Sequence, residues 1–138
     1  MSEPTPKQLL GVQKMLEFFG EEHFKDLRSN SRDDLTTEIG GEYLAEVCFS
    51  GYARPELTFR ERSLMNIAIL IALNRGSELR IHLRAALHNG LSEEQLCEAY
   101  RHAMIYCGVP AGRDALVIAS EVLEKRKQSR NASGPKLS

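Results

Sequence analysis

In the stretch "NRGSELRIHLRAALHN", Asn74 to Asn89, a glutamate and a histidine stand four residues apart, Glu78 and His82. Residues at that spacing are neighbours on a helix. A carboxylate bonded to one imidazole nitrogen fixes the tautomer and raises the basicity of the other nitrogen, as general acid–base chemistry requires. Two small residues, Ala85 and Ala86, follow where larger core residues are usual, and a ligand cavity needs such space. The same pair also serves as a structural device, a histidine at a core margin satisfied by an acid. A metal site is not expected, because only two good ligands appear and no third His or Cys shares their spacing.

At about 100° per residue, Leu79, Leu83 and Ala86 define the core direction of this helix. His82 then lies at the edge of the buried face and Glu78 one step further round. Arg80, Arg84 and His88 fall on the more solvated side.

The elements around this helix read as helical throughout, with almost no strand alternation. Thr5, Pro6 and Gln8 form the start of a first helix with a capping box, and Gly20 is its stop. Its apolar face is expected at Leu9, Val12, Leu16 and Phe19. A second helix is expected from Asp33 to about Cys48, through Leu35, Ile39, Tyr43, Leu44 and Val47. Gly40 and Gly41 weaken it by roughly 1 kcal/mol each, which suggests a kink or a close contact there.

Arg54 precedes Pro55 and is pushed out of the α region, so "SGYARPEL" is a connection. The third helix, about Phe59 to Leu73, is apolar nearly all round, as a central helix should be, and its run Leu64 to Leu73 is interrupted by Asn66. The fourth, Glu78 to Asn89, closes at Gly90. The fifth has a capping box at Ser92 and Gln95 and a staple of Leu91 with Leu96. Leu96, Ala99, Tyr100, Ala103, Met104 and Cys107 keep its helical spacing. A last helix runs from about Pro110 to about Lys125.

With 138 residues, the chain suits one domain, residues 1–125, ending in a basic tail, 126–138, that reads as disordered. A net charge of −1 argues against nucleic acid as a partner, because phosphate binding needs a basic surface. The longest apolar run, Leu64 to Leu73, is half of what a membrane span requires, and "MSEPTPKQ" has no apolar leader, so a cytoplasmic location is expected. Cys48, Cys97 and Cys107 form no C-x-x-C pair and read as three small buried hydrophobes. The third and fifth helices offer more apolar surface than one small subunit can cover, which points to a homo-oligomer.

Several of these segments together are familiar. "RP" at Arg54-Pro55, "RSL" at Arg62 to Leu64, "ELRIHLRAALHNG" from Glu78 to Gly90 and "IYCGVPAG" from Ile105 to Gly112 resemble the carboxymuconolactone decarboxylase family. The resemblance covers about residues 43–124. It implies an all-α subunit of about six helices, of the alkylhydroperoxidase-like kind, assembled into a ring-like homotrimer or homohexamer. Peroxidase members of that superfamily carry C-x-x-C before the histidine and a relay glutamate upstream. Here Arg75 and Glu78 occupy the cysteine positions and Ser63 the glutamate position, so dithiol peroxide chemistry is not expected.

The decarboxylase branch implies loss of carbon dioxide from a small carboxylated lactone or cyclic enol acid without a cofactor. By this resemblance His82 is the proton donor and enolate stabiliser, with Glu78 orienting it. Arg54, Arg62 and Arg84 are then the candidates to grip substrate carboxylates, and Tyr52 a candidate to line the pocket. The chain departs from the branch where Glu46, Cys48 and Phe49 replace histidine, tryptophan and glycine, Tyr52 a second tryptophan, and His88 an asparagine. Those changes keep open an isomerisation or cyclisation of a natural-product intermediate, or a non-catalytic helical binding subunit.

Overall fold

The computed structural model describes residues 3–134, which contain seven α-helices and no strand. Where chain length suggests one domain, packing groups these residues into two compact units. One is built from the residues up to Arg62 together with His88–Gly90; the other comprises Ser63–Leu87 and the residues from Leu91 onward.

In the first unit, α1 (Pro6–Phe19) begins as expected. The Thr5 hydroxyl accepts from the Gln8 amide at 3.2 Å, and the Gln8 side chain accepts from the Thr5 amide at 2.9 Å. Gly20, at φ 82°, ends α1 and α2 (Glu21–Ser29) starts at once. Helix α2 was not foreseen, since it is only nine residues long and Phe24 and Leu27 are its only large apolar residues. Its charges nevertheless suit its dipole, with Glu21 and Glu22 in the first turn and Arg28 in the last.

Asp34 caps α3 (Leu35–Tyr43), accepting from the Thr37 amide at 2.8 Å. The expected helix to Cys48 does not stay α: it loosens into a π-helical turn, Leu44–Cys48, and then tightens into a 3₁₀ segment, Phe49–Ala53. Neither Gly40 nor Gly41 marks a close contact, because a Cβ on either would meet nothing within 4 Å. The close contact lies at Gly11 instead, where a Cβ would come within 1.8 Å of the Ala45 carbonyl oxygen. That backbone approach sets the rotation of α1. Its buried residues are Gly11, Phe18 and Phe19, and the anticipated Leu9, Val12 and Leu16 are exposed.

Phe18, fully buried, centres an aromatic cluster with Phe19 at 5.1 Å, Phe49 at 5.9 Å, Tyr52 at 5.1 Å and Phe59 at 5.5 Å between rings. Such edge-on contacts add to the burial of the rings themselves. His88 and Asn89 fasten to α1 through the Glu17 and Phe18 carbonyls, each at 3.1 Å, and Arg60 donates to the Gly90 carbonyl at 2.6 Å.

Helix α4 (Phe59–Ala72) supplies the second unit with its residues from Ser63. It buries Ser63, Ile67 and Ile71 there, while Leu64, Met65, Ile69 and Leu73 are exposed, so it is not the enclosed helix that its composition suggested. Asn74, at φ 54°, makes the left-handed turn into α5 (Gly76–His88), a conformation that asparagine tolerates better than most residues. Helix α6 (Glu93–Cys107) opens with the expected box, Ser92 and Gln95 exchanging bonds of 3.0 and 3.1 Å. Leu96, Tyr100 and Ala103 are its buried residues and join Ile67, Ile71, Leu79, Leu83, Ala115 and Ala119 in one core.

Gly108, at φ 87°, separates α6 from α7 (Val109–Ala132). The two helices approach closely at Gly112, where a Cβ would stand 1.9 Å from Met104 Cγ. Helix α7 continues past Lys125 to Ala132, so residues 126–132 of the tail expected to be disordered are helical. Arg130 near its C-terminus has the charge that the helix dipole favours there. The end of that tail, residues 135–138, lies outside the described residues. The cysteines also differ from expectation: Cys48 and Cys97 are exposed and Cys107 is half-buried. No described helix is long and apolar enough to cross a membrane.

Candidate active site

Helix α5 turns Leu79, Leu83 and Ala86 fully into the core, in agreement with the helical-wheel reading. His82, at the margin of that face, is half-buried; Glu78, one turn earlier, is exposed. The ring nitrogen Nδ1 of His82 is met by Asn66 Nδ2 of α4 at 3.3 Å. An amide from a second helix thus reaches the ring, besides the glutamate that spacing along α5 suggests. Burial lowers the ring's pKa from 6.5 to about 4. His82 is consequently a neutral imidazole at neutral pH.

Asn66 was visible only as the polar interruption in "LMNIAILIAL". It stands three residues after the fully buried Ser63, within one turn of α4. Sequence spacing could not pair it with His82, because they lie on different helices.

Ala85 and Ala86 are fully buried. A surface cleft of about 330 Å³ in this unit is lined by Leu70, Asn74, Arg75, Asp114 and Ile118 among others, and neither His82 nor Glu78 is among its walls. Arg84 is half-buried on α5, and Arg80 forms an ion pair with Glu121 of α7.

The remaining candidates lie in the first unit, where the structure brings Tyr52, Arg54 and Arg62 together. The Arg62 guanidinium carbon sits 5.0 Å from the centre of the Tyr52 ring, a cation–π distance. Its Nε donates to the Leu57 carbonyl at 3.2 Å and one terminal nitrogen to the Arg54 carbonyl at 3.1 Å. Arg62 thus ties down the connection on which Arg54 stands. Arg54 itself has the extended backbone that Pro55 imposes, ψ 131°, and its side chain is exposed.

Comparison with known proteins decides the family, because the carboxymuconolactone decarboxylase family matches residues 41–121, more than half of the chain. The chain belongs to the carboxymuconolactone decarboxylase family. It is also 37% identical over 117 residues to a 4-carboxymuconolactone decarboxylase of Acinetobacter baylyi, covering 83% of this chain and 84% of that protein. A nitrosuccinic acid decarboxylase of Metarhizium robertsii is 28% identical over 114 residues, covering 82% of this chain and 78% of that protein. Within this decarboxylase family fold, α5 with His82 and α4 with Asn66 both fall inside the matched residues.

Proposed function

We propose that this chain is a cofactor-independent decarboxylase that removes carbon dioxide from a small carboxylated lactone or cyclic enol acid. The observation that carries the reading is a half-buried, neutral His82 in a chain of the carboxymuconolactone decarboxylase family. Two relatives named for the loss of carbon dioxide from small carboxylated acids support it.

In the proposed reaction the bond between ring carbon and carboxylate breaks, and its electron pair passes into the conjugated carbonyl as an enolate. His82 stabilises the enolate oxygen and mediates return of a solvent-derived proton to carbon, while carbon dioxide leaves. Holding the substrate needs cations with a carboxylate-matching fork, for which Arg54, Arg62 and Arg84 are the candidates. Tyr52, against Arg62, is the candidate to shape the binding surface. Glu78, exposed one turn before His82 on α5, is the candidate to orient the ring. We further propose that the enzyme works in the cytoplasm as a homotrimer or homohexamer.

The test is release of carbon dioxide from a carboxylated lactone, measured beside melting curves. His82→Ala is expected to fold and to lower turnover by roughly 10²–10⁴-fold, the usual worth of a general acid or base. Near-normal turnover by the folded variant would remove His82 from the chemistry. Replacement of a substrate-binding arginine by methionine should raise KM more than it lowers kcat.

A further inference from the structure

The amide nitrogen Nδ2 of Asn66 lies 3.3 Å from the Nδ1 nitrogen of His82. An amide nitrogen only donates, so the ring nitrogen that it meets must accept. In a neutral imidazole one nitrogen accepts and the other carries the hydrogen. We propose that Asn66 is a positioning residue that locks His82 as the neutral tautomer with its proton on Nε2. The consequence for turnover rests on the functional reading above; the tautomer does not.

This assignment changes what His82 does. A ring held by a carboxylate would present a basic Nε2 lone pair, or become an imidazolium. A ring held by an amide donor presents an Nε2–H and no added basicity. The burial that keeps the ring uncharged works in the same direction. An N–H of a neutral imidazole is a hydrogen-bond donor suited to an enolate oxygen, whose negative charge grows as the carbon–carboxylate bond breaks. The carbon then takes its proton from solvent water, so no net charge is left on the protein.

The sequence context fits the role. Asn66 interrupts an apolar run on α4 and is half-buried between the fully buried Ser63 and Ile67. A polar amide in such a place costs free energy unless it is hydrogen-bonded, and the contact with His82 helps to satisfy it. Turned end for end, the same amide would present Oδ1 and demand the opposite tautomer. The tautomer therefore reports the arrangement directly.

The test uses the full chain labelled with ¹⁵N in its imidazole rings and long-range ¹H–¹⁵N correlation spectra at pH 7 without substrate. His82→Gln assigns the His82 signals among the four histidines of the chain. The expected result is a neutral ring protonated at Nε2. Asn66→Asp, which offers Nδ1 only an acceptor, should move the proton to Nδ1 or charge the ring. Asn66→Leu should weaken the tautomer preference and lower kcat by roughly 10- to 100-fold with little change in KM, the size of effect seen when a metal-bound histidine loses its orienting partner. An imidazolium or an Nδ1–H ring in the unmodified protein would overturn the proposal, whether or not either variant folds. Unchanged tautomer and kcat in folded Asn66→Leu would overturn it too. If the unmodified protein turns over no carboxylated lactone, the functional reading fails while the spectra still decide the tautomer.

Discussion

His82 carries a stability consequence that is independent of any substrate. Its pKa falls to about 4 in the folded chain from an ordinary 6.5, so between those values the unfolded chain binds more protons than the folded one. The contribution of neutral His82 is therefore complete above about pH 6.5 and is lost as pH falls through 4, at most about 3 kcal/mol. Asp34 and Glu61, whose carboxyl pKa values are lowered chiefly by backbone amides of Thr37 and Thr58, also lose stabilisation in acid. Those groups act equally in a His82→Gln variant. Denaturant unfolding at pH 7 and pH 4.5 should thus show a larger acid loss in the unmodified protein than in His82→Gln. Equal losses would mean that the ring is not buried as described.

At the scale of elements, glycines with opposite surroundings give opposite expectations. Gly11 lies where a Cβ would meet the Ala45 backbone at 1.8 Å, and backbone cannot yield as a flexible side chain can. Gly11→Ala must push α1 off the π-helical turn and should destabilise by about 1–3 kcal/mol, the usual cost of overpacking. Gly40, within α3, has nothing within 4 Å of an added Cβ. Gly40→Ala should stabilise by up to about 1 kcal/mol through helix propensity and a less disordered unfolded chain. Melting temperatures that move in the same direction for both variants would contradict this packing of α1.

For the whole molecule, the unburied apolar residues are the main fact. Met65, Ile69 and Leu73 follow one another at four-residue spacing along α4 and its end, and are 52%, 50% and 61% exposed. A stripe so apolar and so open is what an association surface presents, whereas single exposed hydrophobics need no explanation. The protein should sediment as a homo-oligomer at micromolar concentration. Ile69→Glu combined with Leu73→Glu should shift it toward a monomer that remains helical by circular dichroism. A stable monomer of the unmodified chain would refute this expectation and the ring assembly with it.

The sequence by itself determined those features whose causes lie within one turn of helix. The capping boxes at Thr5 and Ser92, the extended Arg54 before Pro55 and the buried stripe of Leu79, Leu83 and Ala86 were all readable, because each depends on residues three or four apart. The motif segments from Arg54 to Gly112 also sufficed for the family. What only tertiary structure decided depends on contacts between elements. The rotation of α1 follows from its backbone approach to Ala45, and α2 forms although Phe24 and Leu27 are its only large apolar residues. The partner of His82 belongs to the same class. Spacing along α5 points to Glu78, and the packing of one helix against another brings Asn66 to the ring as well, sixteen residues away in the chain. A local pattern places an acid near an imidazole; packing decides which group reaches its nitrogen.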